Sequence, residues 1–316
     1  MNPYLLPDNK VQIAFSGGRT SAYMLHQILE ANGDLPDRVR VTFQNTGRER
    51  PETLDFVQEC GTRWDVDVTW LEFRPSKKQR NPFKEADFRE QYQRIFGRAR
   101  LEYMTNWWED NATDLKYAVV NHNSASRYSE PFEALILSKM YLPNQQARFC
   151  TIEMKVRTAK RFLMSLGWEY WTNCVGFRAD EPHRLNKPKP RDRWTVWHPL
   201  ADALISKHHV AAFWLHQVFD LQLPNVRGNC WLGNCDGCFL KSEASVAAFT
   251  RDFPIDAFWW EGMESLVSWS TGSSSAAFWS KRYTRREMRE YMERQGDWAL
   301  STDGVLCQAV HGECVA

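Results

Sequence analysis

The segment that most constrains this chain is its first. A short apolar run, Val11-Gln12-Ile13-Ala14-Phe15, is closed at once by Ser16-Gly17-Gly18-Arg19-Thr20-Ser21. A stretch follows in which Ala22, Leu25, Ile28 and Leu29 recur at helical spacing up to Gly33. A brief apolar run bounded by glycines reads as a buried strand, and the periodic stretch as a helix over Ser21–Asn32. Strand, glycine turn and helix in that order make an anion seat. The paired glycines let the backbone turn tightly and approach a ligand. The helix N-terminus presents unpaired N–H groups and a partial positive charge. Ser16, Thr20 and Ser21 add hydroxyls, and Arg19 adds a guanidinium that grips phosphate with two bonds. The spacing is neither that of a Walker loop nor that of the dinucleotide fingerprint.

The pattern continues. Arg40–Phe43 reads as a second strand, Pro51–Trp64 as a helix opened by proline, and Asp67–Phe73 as a third strand. This alternation predicts an α/β fold, a parallel Rossmann-like sheet flanked by helices and joined by right-handed crossovers. Further helices are expected over Asn81–Asn111, Pro131–Tyr141, Ile152–Leu166, Ser206–Phe219, Ser242–Phe253 and Thr284–Gln295, with a strand over Tyr170–Phe177. Arg178–Arg193 is polar and rich in proline and reads as a long loop, a kind of segment that more often serves function than not. Thr271–Ser275 reads as a small linker. The chain divides into an α/β domain over residues 1–205 and a helical region over 206–316 that carries a cysteine cluster and a tail and packs on the first.

Composition narrows the classes. A chain of 316 residues with 43% hydrophobic and 25% charged residues buries a substantial core. A formal charge of +1 advertises no global attraction to nucleic acid or membrane. A nucleic-acid partner stays open through the local run Lys187, Lys189, Arg191 and Arg193, although this run reads more readily as a plain solvated loop. No run approaches a membrane span, and the first ten residues lack a secretory apolar region. Eight cysteines in such a chain point to reduced thiols in a cytoplasm, and to metal or redox chemistry where they cluster. Fifteen tryptophans read as core filling rather than as base-stacking platforms.

Four motifs in order resemble the PAPS-reductase-like branch of the adenine nucleotide alpha-hydrolase-like (PP-loop, HUP-type) superfamily, of phage or bacterial type. Phe15–Ser21 resembles its PP-loop. Phe43-Gln44-Asn45-Thr46-Gly47-Arg48-Glu49 before Pro51-Glu52-Thr53 resembles its second-strand motif. Arg148-Phe149-Cys150-Thr151 with Lys155-Val156 resembles its Cys-Thr and Lys segment. Gly176-Phe177-Arg178-Ala179-Asp180-Glu181 with Arg184 resembles its Gly-x-Arg-x-Asp-Glu loop. The resemblance covers Val11 to Lys241. It implies an adenine nucleotide, ATP or PAPS/APS, at the C-terminal edge of the sheet. Ser16, Gly17, Gly18, Arg19, Thr20 and Ser21 would cradle phosphate, with Asn45, Thr46, Gly47, Glu49 and Lys155 nearby. Arg178 would cap the anion, and Asp180 and Glu181 would orient it or bind Mg2+. The commoner family loop has Lys and Asp where this chain has Arg19 and Thr20, a departure that tells against strict ATP pyrophosphatase chemistry.

Cys230, Cys235 and Cys238 stand in a C-x4-C-x2-C array with Gly233 and Gly237 between them. Such turns let two thiolates bite one centre. The set Cys150, Cys230, Cys235 and Cys238 resembles the cysteine pattern that holds a [4Fe–4S] cluster in assimilatory APS reductases. Phe149 replaces one member of that family's tandem pair, and Cys230 offers the missing ligand. Structural zinc and unligated thiols remain alternatives. Cys60 and Cys174 read as small buried hydrophobes. Near the C-terminus, Glu313-Cys314 resembles the nucleophilic cysteine motif of PAPS and APS reductases, although the following Gly and His are absent and His311 precedes it. Cys314 is thus a candidate nucleophile beside the reading of an ordinary terminal cysteine.

Three functions follow. One is a sulfonucleotide reductase with a thioredoxin-like donor. The second is an ATP-dependent sulfurtransferase, fed by a cysteine desulfurase, that adenylates and thiolates a nucleic acid or small molecule. The third is a non-catalytic nucleotide-binding module held by zinc.

Overall fold

The computed structural model describes residues 2–185, 192–226, 229–273, 276–278 and 283–295. Strand β1 is Val11–Ala14, followed by helix α1 (Arg19–Asn32), β2 (Val39–Asn45), α2 (Pro51–Arg63) and β3 (Val68–Phe73). Then come α3 (Ala86–Phe96), α4 (Arg98–Asn111), β4 (Tyr117–Val120) and α5 (Glu130–Lys139). A π-helical turn, Thr151–Arg157, runs straight into α6 (Thr158–Ser165). Next are β5 (Trp171–Cys174), β6 (Trp194–Trp197), α7 (Pro199–Asp202) and α8 (Lys207–Leu215). The C-terminal part holds an antiparallel pair of two-residue strands, β7 (Asn225–Val226) and β8 (Asn229–Cys230), and helices α9 (Glu243–Asp252), α10 (Pro254–Thr271) and α11 (Arg285–Gln295).

The six-stranded sheet has the order β4-β3-β2-β1-β5-β6. All pairs are parallel except β3–β4. All four residues of β1 are buried, as expected of a central parallel strand covered on both faces. Alternation along the strands separates the two faces. Val11, Ile13, Phe43 and Trp70 join the main core, while Leu71 turns to the other face and packs with Phe162 and Leu163 of α6, Trp168 and Trp171. The main core is continuous from β1 through Met288 and Met292 of α11, so the helical C-terminal part shares its interior with the sheet.

The fold is the expected α/β class with a helical C-terminal part. The differences lie in short or unusual elements and in one long helix, α10, that the sequence reading did not place. The stretch over Asn81–Asn111 is two helices, because Gly97 turns the chain at φ +84°. Strands β4 and β6 lie at the sheet edges, each only four residues long and mostly half-buried or exposed, so neither carries a strong pattern. Helix α10, with buried Trp259, Trp260, Met263 and Leu266, completes the C-terminal part. Tryptophan does mostly fill core: Trp70, Trp108, Trp168, Trp171, Trp214, Trp259 and Trp260 are buried. Cys60 and Cys174 are fully buried, and burial pushes both thiols well up. No helix among the described residues is long and apolar enough to cross a membrane.

Candidate functional site

The connections from β1 and from β5 leave in opposite directions along the sheet, so a switch point lies between these neighbours. Crevices of this kind, at the C-terminal ends of parallel strands, accept ligands. The Ser16–Ser21 loop follows β1 and the Arg178–Glu181 loop follows β5, so both reach this crevice. Gly18 is the N-cap of α1 in an extended conformation, and no side chain caps the helix. Ser21 Oγ donates to Gly18 O at 2.9 Å and accepts from Ser16 N at 3.2 Å, and the Ser16 and Ser21 hydroxyls stand 2.9 Å apart. The loop is therefore a closed hydrogen-bonded ring at the head of a helix.

Two guanidiniums flank it. Arg178 Nη1 donates to Thr20 Oγ1 at 3.3 Å, and its Nε donates to Asp180 Oδ1 at 2.9 Å. Glu181 accepts from Arg178 N at 3.3 Å and from Arg184 Nη1 at 2.8 Å. Burial alone would raise the Asp180 carboxyl, but the Lys207 N–H and Arg178 hold it below the usual range. Arg19 is turned to Asp220, which accepts from its Nε at 2.7 Å and also from Nη2.

The second motif folds on itself. Asn45 Oδ1 accepts from Gly47 N at 3.1 Å, and Asn45 Nδ2 donates to Glu72 and to Ser126 O. The buried Glu49 carboxylate accepts from both Thr46 N and Thr46 Oγ1 at 2.7 Å. These side chains shape the turn, and the turn meets the cysteine segment. Thr46 Oγ1 lies 3.3 Å from Cys235 Sγ, and Glu49 pairs with Cys235 as an isolated β-bridge. Arg48, 6% exposed, donates through Nε to Asp236 at 3.0 Å and through Nη1 to Ser129 Oγ at 2.9 Å, and stacks on Trp259 and Trp260. Asp236 N donates back to Arg48 O.

The cysteine turn has a second brace. Cys238 is buried, and its sulfur accepts from Leu240 N at 3.5 Å. Arg285 Nη2 donates to Gly237 O at 2.8 Å, and its buried guanidinium lies in the field of Cys238. These contacts fix the turn that carries Cys235 and Cys238. Cys150 begins the π-helical turn, half-buried, and Lys155 lies buried within it. Among the described residues no group of three or more His, Cys, Asp or Glu side chains is placed to hold a metal. Cys230 lies in β8, but its side chain falls outside the described residues, as do Cys314, His311, Lys187, Lys189 and Arg191.

Glu264 locks this brace by accepting from Phe278 N at 2.9 Å and Arg285 N at 2.6 Å. Burial pushes its carboxyl up to about 7, against the pull of Arg285. A raised acid binds its proton more tightly in the folded chain, so its stabilising share is present at low pH and is lost as pH rises towards 7. Glu264→Gln is therefore expected to be less stable than wild type near pH 5, with the gap narrowing by up to about 3 kcal/mol near pH 8. Urea unfolding at the two pH values measures this, and a constant gap refutes it.

Sequence reasoning missed Arg48, Asp236 and Asp220. The first two stand inside quoted motifs, and their opposite charges were the available signal. Asp220 sits in no pattern.

The phosphoadenosine phosphosulfate reductase domain family matches residues 10–106. The nin region protein ORF290 of Escherichia phage lambda, itself uncharacterized, is 30% identical over 243 residues, which cover 76% of this chain and 69% of that one. A solved phosphoadenylyl-sulfate (PAPS) reductase from Candida auris, in a phosphate complex, aligns over 66% of this chain and 71% of its own at 16% identity, with a TM-score of 0.33.

Proposed function

This chain belongs to the PAPS reductase-like family, in its phage type, and on that premise we propose that it binds an adenine nucleotide at the Ser16–Ser21 loop and carries out sulfur chemistry on it. The observation that carries the reading is the contact of Thr46 with Cys235, which brings a thiol turn onto the nucleotide motif. In this reading the loop amides and hydroxyls hold phosphate, and Arg178 closes over it from the loop after β5. Lys155, Asn45, Gly47 and Glu49 support the pocket, and Arg19 faces the phosphate edge. Cys150, Cys230, Cys235 and Cys238 would hold a [4Fe–4S] cluster, or zinc in its place. A cluster there would polarise substrate or carry sulfur.

The reaction favoured is sulfonucleotide reduction. A thiolate, with Cys314 as the candidate, attacks the sulfate sulfur and the nucleoside phosphate departs. A dithiol donor of the thioredoxin class then releases sulfite and restores the thiol, itself becoming a disulfide. The second reading, ATP-dependent sulfur transfer with a cysteine desulfurase as source, is favoured by the carboxylates of Asp180 and Glu181 beside Arg178, which suit Mg2+.

The test is metal and sulfide analysis of anaerobically purified protein, with sulfite and pyrophosphate assays. Iron matched by acid-labile sulfide, both lost in Cys235→Ala, supports sulfur chemistry. Sulfite release that fails in Cys314→Ser selects reduction, and Mg2+-dependent pyrophosphate release that survives it selects transfer. Zinc without sulfide, and binding without turnover, moves the chain to a non-catalytic module. Arg178→Ala is expected to weaken adenine nucleotide binding about 10- to 100-fold, as for loss of a hydrogen bond between charged groups. Calorimetric titration reads this, and unchanged affinity removes Arg178 from the site.

A further inference from the structure

Arg19 is the first residue of α1, and its guanidinium is held side-on: Asp220 accepts from Nε at 2.7 Å and from Nη2. That pairing uses one edge of the fork. The remaining edge, with Nη1, makes no hydrogen bond among the described residues, and the side chain is 21% exposed. A guanidinium edge of this kind matches an oxyanion with two parallel bonds. The mount is stiff. Asp220 stands between Phe219 and Leu221, both buried, and Phe219 packs on the rings of Phe56, Trp64 and Trp214. Leu221 N donates to Asp220 Oδ1 at 2.7 Å. Trp214 Nε1 donates to the Arg19 carbonyl at 3.0 Å, so the same segment fixes both the backbone and the side chain of Arg19.

We propose that Asp220 is a positioning residue that aims the free edge of Arg19 at an oxyanion seated on the Ser16–Ser21 loop. The proposal rests on the reading of that loop as an anion site. Holding a long side chain in its bound geometry before the ligand arrives removes an ordering cost from binding. Lysine, a point charge without a fork, has no edge to aim. Arg19 and Asp220 should therefore act as one unit towards the anion.

The experiment titrates full-length protein with inorganic pyrophosphate and, separately, with ATP, in wild type, Asp220→Ala, Arg19→Ala, Arg19→Lys and the doubles of Asp220→Ala with each. Melting curves establish that each variant is folded. Asp220→Ala is expected to weaken pyrophosphate binding about 3- to 10-fold, the range for one newly mobile side chain. The same change in an Arg19→Ala or Arg19→Lys background is expected to do little, whereas a merely structural Asp220 would weaken binding equally in all three backgrounds. That equal loss overturns the proposal. So does tighter binding in Asp220→Ala, which would make Asp220 a competing counter-ion, and so does a wild-type protein that binds no pyrophosphate. Pyrophosphate binding with the expected coupling, but no preference for ATP over pyrophosphate, overturns the nucleotide reading and leaves the role of Asp220 standing.

Discussion

Replacing Arg48 by alanine is expected to lower the unfolding free energy by about 3–5 kcal/mol, the loss typical when one partner of a buried ion pair is removed and the other is left charged. Arg48 and Asp236 are each 6% exposed in their side chains. Asp236 accepts from Arg48 Nε, from Gly237 N at 2.6 Å and from Trp260 Nε1 at 3.0 Å. Arg48 also donates to Asp256 O at 3.1 Å, and its guanidinium carbon lies 4.9 Å and 5.5 Å from the ring centroids of Trp259 and Trp260. The alanine variant leaves the Asp236 carboxylate desolvated and opens a hole beside Trp259 and Trp260. The neighbouring pair Arg50–Asp256, with Asp256 44% exposed, sets the contrast. Its removal is expected to cost less, because water reaches the Asp256 carboxylate that is left behind. Urea unfolding of both variants tests the difference. A loss for Arg48→Ala no larger than for Arg50→Ala would mean that water reaches Asp236 and that the clamp is loose.

The clamp has a second consequence for function. Gly237 lies against Trp260, and a Cβ there would fall 2.3 Å from Trp260 Nε1. With Arg48 gone, no other side chain of the Asn45–Glu49 turn, among the described residues, holds the carboxylate that orients the cysteine turn. Cys235 and Cys238 should then react faster with a thiol reagent, even below the denaturant range of unfolding. An unfolding defect without faster thiol reaction would place the clamp in stability alone.

These particulars show what the sequence carries and where it stops. The strand β1, its glycine loop and helix α1 were legible because burial on both faces of the central strand writes a continuous apolar run, and a tight turn leaves glycine behind it. Helices α2, α5 and α9 were legible from periodicity and from proline or serine at their starts. Strands β4 and β6 were not, because edge strands half-open to solvent show neither alternation nor a long apolar run. Arg48 and Asp236 lie almost two hundred residues apart, and opposite charges at that separation acquire meaning only when the fold buries them together. The turn at Thr46 differs again. Its residues were expected near a ligand, and the fold adds what spacing does not show: Glu49 holds the Thr46 amide and hydroxyl, so these side chains also shape the turn. Asp220 was invisible because an aspartate in an unpatterned segment says nothing until Arg19 is beside it.

Replacing Gly17 by alanine is expected to weaken anion binding at the loop strongly while leaving most of the sheet intact. Gly17 has φ +77°, a conformation costing an L-residue about 1–2 kcal/mol. The added Cβ would also meet Thr53 Cγ2 at 2.8 Å, Val57 Cγ2 at 3.0 Å and the Phe43 ring at 3.2 Å. Overpacking of this kind adds about 1–3 kcal/mol, and Phe43 and Val57 are too deeply buried to give way. The loop itself must therefore shift, which breaks the ring that Ser16, Gly18 and Ser21 close. Losing one or two charge-assisted bonds from the loop weakens pyrophosphate or ATP binding about 100-fold. Adding Thr53→Ser removes the methyl that the Cβ meets first, so the double variant should regain part of the stability and affinity while the φ strain persists. Titration and melting of the two variants separate these contributions. No recovery in the double variant would assign the whole effect to backbone strain. Wild-type affinity in Gly17→Ala would show that the anion does not sit on this loop, and the nucleotide reading of the chain would fall with it.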